Sequence, residues 1–344
     1  MGDSMNSLSD VGVVAIGRNE GKRLERCLRS AIAQTDRVVY VDSGSTDDSV
    51  AFAESIGVEV VNLDTSIPFT AGRARNEGIE RLRERWEGLA YVHVLDGDCE
   101  FQDGWIQVAH DFITVHDDVA VVCGRRRERS PEDSVYNLMC DLEWDTPIGQ
   151  ARSCGGDALF LLKAFNEVGG YNPIVIAGEE PELCVRIRGA GYTVHRLDHE
   201  MTLHDASMTK LSQYWQRAKR AGHAYAQGAD LHGAPPERHN VKQTRSAMIW
   251  GLGFPLIAIA LAWWTHGVSL GVYVTMVIAQ AWRIRRGQIW IGRTSREASM
   301  LAAYIMLAKH AQASGVMLYW RRKLTGKQLQ IIEYKGAEQG NDDG

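Results

Sequence analysis

The chain has 344 residues, 45% of them apolar and 24% charged, with 34 Gly and 8 Pro, which excludes a disordered, collagen-like or mini-protein chain. Its net charge of −5 hides an asymmetry: from residue 241 onward there are 13 Lys+Arg against 5 Asp+Glu, and before it 25 against 38. The acidic first part gives no sign of nucleic-acid binding, and the basic, apolar remainder argues against a wholly soluble enzyme.

Residues 1–10 are polar, without the apolar core of a signal peptide, so the first domain is expected in the cytoplasm. Residues 11–16 read as a buried strand and 17–20 as a loop. Residues 22–33 read as a helix, because Leu24, Cys27, Leu28 and Ile32 recur at helical spacing. A strand at 37–41, a polar turn at 42–48, a helix at 49–56 and a strand at 58–62 follow. Such alternation predicts βαβ units and a mostly parallel sheet flanked by helices. Ligands of such sheets bind beyond the carboxyl ends of the strands, where Asn19, Glu20 and Asp42 fall.

A helix at 72–85 leads to a strand at 89–95 that stops at Asp96-Gly97-Asp98. A strand at 119–123 precedes the run Arg125-Arg126-Arg127, and a polar connection reaches about residue 152. Gly155-Gly156-Asp157 opens the apolar stretch 158–162. The acids of Glu179-Glu180-Pro181-Glu182 suit the first turn of a helix running to 188. Residues 193–196 read as a last strand and 212–227 as a basic helix, and the Gly- and Pro-bearing segment 228–240 as a linker. Six cysteines without C-x-x-C or metal-finger spacing suit reduced, buried thiols.

Two carboxylates close together on a turn repel unless a cation or hydrogen-bond donors compensate. Asp96-x-Asp98 at a strand end therefore suits a hard divalent ion shared with a diphosphate. With the strand ending in Asn19-Glu20, the turn Asp42-Ser43-Gly44-Ser45-Thr46-Asp47, the segment Ala71-Gly72-Arg73-Ala74-Arg75-Asn76-Glu77-Gly78 and the later Glu179-Glu180-Pro181-Glu182-Leu183, the chain resembles the family 2 glycosyltransferases of GT-A fold over residues 11–225.

That resemblance implies a nucleotide-sugar-binding fold and donor contacts from Asn19, Glu20, Asp42, Arg73, Arg75 and Asp96. It implies a Mg2+ or Mn2+ ion held by Asp98 with Asp96 and His204. Glu180, or else Glu179, would be the general base; the family usually has Asp there, and the extra methylene of Glu moves the carboxylate. Gly156 and Asp157 would face the acceptor. The helix Gln216-Arg217-Ala218-Lys219-Arg220 lies near the place of the Q-x-x-R-W motif of processive synthases without matching it, which favours transfer of a single sugar.

No Asp, Glu, Lys or Arg occurs from Ser246 to Trp282, a membrane signal. Residues 246–264 and 267–282 read as a transmembrane hairpin, with Lys242 and Arg245 before it and Arg283, Arg285 and Arg286 after it, so both ends belong on the cytoplasmic side. The apolar stretch 298–320 carries Lys309 and His310 centrally and reads as an interfacial helix. The expected organisation is a catalytic domain at 1–227, a linker at 228–240 and a membrane-associated helical region at 241–344. The whole reads as an inverting enzyme of the inner or plasma membrane, with its catalytic domain cytoplasmic. It would use a nucleotide-sugar donor and a glycan or lipid-linked acceptor, with membrane lipids as partners. A nucleotidyltransferase would need a Gly-rich loop with a Lys after the first strand, which 17–20 does not supply. A non-catalytic scaffold would not need Asp96, Asp98 and Glu180 together.

Overall fold

The computed structural model describes residues 8–326, which divide into two compact units, one ending at Thr209 and the other starting at Lys210. In the first unit, β1 (Val11–Gly17), β2 (Val38–Asp42), β3 (Glu59–Asn62) and β4 (Tyr91–Asp96) are parallel, with β1 and β2 between helices on both faces. Their almost unbroken apolar composition follows from that cover. α1 (Lys22–Ile32) buries Leu24, Cys27, Leu28 and Ala31, one face of the expected helix. Between β2 and β3 lies α2 (Ser49–Ser55). α3 (Ala71–Arg85) starts at Thr70, whose hydroxyl accepts from the Arg73 N–H at 3.1 Å. Gly78 lets this helix lie directly on Val14 and Val41, which a Cβ would strike.

The second half of the sheet is mixed, and much of it was not legible as structure. α5 (Val135–Trp144) and β7 (Gly149–Ala151) fall within the expected polar connection, and β5 (Cys99–Phe101) and α4 (Trp105–Thr114) occupy a stretch to which the sequence reading assigns no element. β6 (Val119–Glu128) extends through the arginine run. β8 (Ala158–Leu161) is antiparallel to both β4 and β6, and leads into α6 (Leu162–Glu167). α7 (Glu179–Gly189) is followed by β9 (Thr193–His204), which is parallel to β6 and antiparallel to β5 and β7. β9 is thus far longer than 193–196, because its polar positions find partners on three neighbouring strands. The strand order is β3-β2-β1-β4-β8-β6-β9-β5, with β7 beside β9.

The second unit is helical. α8 (Leu211–His232) runs into the segment expected as a linker, and α9 (Val241–Met248) continues through a π-helical turn, Ile249–Gly253, into α10 (Phe254–Ala262). Val241–Ala262 is long and apolar enough to cross a membrane, with a mean hydropathy of 1.6. A turn with His266 and Gly267 at positive φ (49° and 87°) reverses the chain into α11 (Val268–Trp290). The connection is tied by Ser269, whose hydroxyl donates to the Ala258 carbonyl at 2.7 Å.

Residues 298–320 lie within α12 (Ser295–Thr325), which starts at a Thr294/Glu297 capping box. Ala302, Met306, Ala313 and Val316 form its buried face. Three glycines set the helix contacts: a Cβ on Gly222 would collide with the Gln312 backbone, one on Gly315 with Lys219 and one on Gly251 with Lys309. The two central polar side chains are satisfied. His310 Nδ1 lies 3.0 Å from the Gly251 carbonyl oxygen, and Lys309 donates to Gln312 at 3.2 Å.

Candidate active site

Strand register builds the site. Gly17 pairs with Asp42, and Ile16 with Asp96, so β1, β2 and β4 end level with one another. The loops that leave them meet. The Asn19 N–H donates to Ser45 Oγ at 2.9 Å, and its side-chain oxygen accepts from the Thr46 N–H at 2.7 Å. Asn19 adopts φ 53°, a left-handed conformation that asparagine tolerates. The buried Asp42 carboxylate accepts from the Gly44 and Ser45 N–H groups at 2.9 and 2.8 Å, from the Tyr40 hydroxyl at 2.8 Å and from the Ser45 hydroxyl. Burial beside that carboxylate raises the Tyr40 pKa, so the phenol stays a donor. Glu20 sits over Gly17 and Gly97 and pairs with Arg23 at 2.9 Å.

Arg75 is the centre of the arrangement. Only 2% exposed, it donates to Asp96 at 2.6 Å and to Glu179 at 3.2 Å, pairs with Glu180, and lies 5.5 Å from the Tyr171 ring centre. Burial would lower its pKa, but Glu180 and Asp96 outweigh burial and hold it well above the ordinary value. Burial pushes Glu180 up to about 8, assisted by Glu179 and Asp96 and opposed by Arg75. Glu179 and Glu180 open α7, where N–H groups and helix dipole face them.

Arg73 does not join this cluster. Its guanidinium donates to the Ile67 and Pro68 carbonyls at 2.8 and 3.2 Å and to Glu77 at 3.0 Å, clamping the loop before α3. Successive helical residues turn by about 100°, so side chains two apart point in nearly opposite directions.

Asp157 is also elsewhere than expected. It is fully buried, paired with Arg126 at 2.9 Å and accepting from the Thr202 hydroxyl at 2.7 Å, so it braces β8, β6 and β9 rather than facing an acceptor. Gly156 is required by a neighbour: a Cβ there would lie 2.6 Å from Asp96 Oδ2.

Beyond Asp96, the chain turns through Gly97 to the buried Asp98, whose Oδ1 is 3.4 Å from His204 Nε2. The His204 ring packs edge-on against Trp144 at 4.6 Å between centres. Asp98, Cys99 and His204 can bring one ligand atom each within 4.8 Å of one another. Burial raises the Cys99 thiol well above its ordinary pKa, which leaves it a neutral, poor ligand. The remaining donors, one carboxylate and one imidazole with His204 Nδ1 unbonded in the interior, suit Mn2+ rather better than Mg2+. Asp96 is taken by Arg75 and lies in a second group, with Cys99 and Asp157, that Arg126 already neutralises. The sequence reading missed Arg126, Trp144 and Glu128; the register of β6 on β9 shifts on both sides of Arg125, so simple strand alternation did not mark Arg126.

Residues 13–153 match the family model described as glycosyl transferase family 2. The succinoglycan biosynthesis protein ExoA of Rhizobium meliloti is 22% identical over 341 residues, covering 94% of this chain and 97% of that one. A TPR repeat-containing protein of Synechococcus elongatus is 31% identical over 103 residues, covering 30% of this chain. An uncharacterized glycosyltransferase of Rickettsia conorii is 45% identical over 51 residues, covering 15%. The chain spans only 24% and 18% of the lengths of these last two relatives. Among solved structures, a mannosyltransferase of Pyrobaculum calidifontis in complex with GDP-Man and Mn2+ superposes with a TM-score of 0.58 at 18% identity, over 88% of this chain and 86% of that one. The fold is therefore the GT-A fold, a mixed α/β sheet flanked by helices, followed by a helical region.

Proposed function

We propose that the chain is a membrane-attached glycosyltransferase that passes one sugar, with inversion, from a nucleoside-diphosphate sugar to an acceptor hydroxyl. The observation that supports this best is the buried Arg75 joining Asp96, from the D-x-D turn, to Glu179 and Glu180, from α7. One guanidinium thus ties the side that would hold the donor to the side that would activate the acceptor. The 42–46 turn and Asn19 would hold the nucleoside. Glu180 would take the acceptor proton, and Arg75 would keep that carboxylate in place while offsetting charge near the diphosphate. Asp98 and His204 would hold a divalent ion. Such an ion, when bound, supplies positive charge that stabilises the departing diphosphate.

A panel of UDP-, GDP-, dTDP- and CDP-sugars with Mn2+ tests this reading by thermal shift. At a hundred times its Kd the right donor stabilises by about 2.7 kcal/mol, several degrees in melting temperature. The same shift should vanish in Asp98→Ala, together with Mn2+-dependent turnover. Full activity of that variant without divalent metal would rule out the metal assignment.

The membrane part of the proposal rests on the helices from 241 to 290. Trp263, Trp264 and Trp290 are 85%, 74% and 88% exposed, and Leu256, Ile257, Ile259, Val272, Val274 and Ile278 are exposed as well. An apolar surface of that extent suits lipid, with tryptophan at its borders. A glycan-bearing lipid or a growing polysaccharide unit is then the acceptor class within reach. The full-length protein should stay in the membrane fraction after washing with alkaline carbonate. Release into the supernatant would replace a spanning hairpin by surface attachment.

A further inference from the structure

Glu128 is a buried carboxylate to which the proposed chemistry gives no role. Its side chain is 0% exposed, at the end of β6, in register with His204 of β9. Two backbone donors fix its orientation: the Ala206 N–H reaches Oε2 at 3.1 Å and the Ser130 N–H reaches Oε1 at 3.4 Å. Held this way, Oε2 stands 3.8 Å from His204 Nδ1, a ring nitrogen that is buried without a hydrogen-bond partner. On the other side of the ring, Nε2 faces Asp98. A buried carboxylate and an unbonded ring nitrogen facing each other at that distance are a small movement from a hydrogen bond, which would give the ring nitrogen its partner while Oε2, with a lone pair to spare, keeps the Ala206 N–H.

We infer that Glu128 is a positioning residue that holds the His204 proton on Nδ1 and so presents the Nε2 lone pair, beside Asp98, to the cation. Which imidazole nitrogen is free for a metal is set by the bond the other makes, and removing such a carboxylate partner typically weakens metal affinity about 10–100-fold. Trp144, edge-on to the ring, limits its rotation. The inference rests on the reading of Asp98 and His204 as the cation site, and it adds to that site a residue that touches neither cation nor substrate.

The test titrates the full-length protein with Mn2+ alone and reads affinity by EPR, together with the 14N modulation of a coordinated imidazole in pulsed EPR. Wild type should bind with that modulation, and His204→Ala should lose it. Glu128→Gln should bind about tenfold or more weakly, with the modulation diminished. Glu128→Asp, which keeps the charge on a shorter arm, should fall between the two. Melting temperature verifies that each variant is folded, and the aspartate variant carries the comparison if glutamine is not tolerated. Unchanged affinity and modulation in the folded Glu128 variants would overturn the inference while leaving the cation site intact. No Mn2+ binding, or no nitrogen modulation, in wild type would overturn the cation site and the inference with it.

Discussion

Replacing Arg75 by methionine is expected to remove about 3–5 kcal/mol of folding stability at pH 8 and to abolish transfer. Methionine keeps the apolar stem but leaves Asp96, Glu179 and Glu180 facing one another without a cation, two of them almost wholly buried. A buried charge that loses its partner neutralises by taking up a proton. The variant should therefore recover much of its stability on acidification, because its folded form then binds more protons than its unfolded form. Urea denaturation at pH 5.5 and pH 8 measures this. A loss that is the same at both values would mean that Arg75 acts by packing against Tyr171 rather than by charge.

Glu180→Gln should lower kcat/KM by about 10²–10⁴-fold, the usual worth of a general base, while donor-induced stabilisation persists. The pH dependence gives the sharper signature. Only the ionised carboxylate accepts a proton, so with Glu180 pushed up to about 8, wild-type kcat/KM should climb with pH through that value. The residual activity of Glu180→Gln should lack the limb. Folding responds with the opposite sign. The folded pKa lies above the ordinary value of 4.5, so the stability this residue contributes is full below about 4.5 and is lost as pH rises through about 8. The glutamine variant should flatten that decline. A limb that survives in Glu180→Gln and disappears in Glu179→Gln would move the base to Glu179.

The residues that meet at the candidate site were legible where the sequence places them at fixed points of regular elements. Asp42 and Asp96 end strands whose apolar runs were readable, and Glu180 opens a helix marked by acids and proline. What stayed hidden depends on which way side chains turn and on partners distant in sequence. Arg73 and Arg75 looked equivalent, although the helix turns them to opposite sides, and only the loop at 64–68 shows which of them is consumed. Asp157 looked like a residue for the acceptor because its partners, Arg126 and Thr202, lie on strands 31 and 45 positions away. His204 was expected after the last strand. It is the last residue of β9, where Glu128 and Cys99 flank it in register on β6 and β5, a pairing that no local pattern announces.

The glycine contacts of the second unit determine which solvents it tolerates. Where a Cβ on Gly222, Gly251 or Gly315 would meet backbone, the helices gain van der Waals contact between main chains in addition to the burial of Met306, Val316 and Tyr319. Attraction of that kind is as strong among hydrocarbon tails as in buffer. Detergent micelles that dissolve a leucine-rich interface should therefore leave α8, α12 and the π-helical turn together. A bulky residue at any of the three glycines would separate them in either medium.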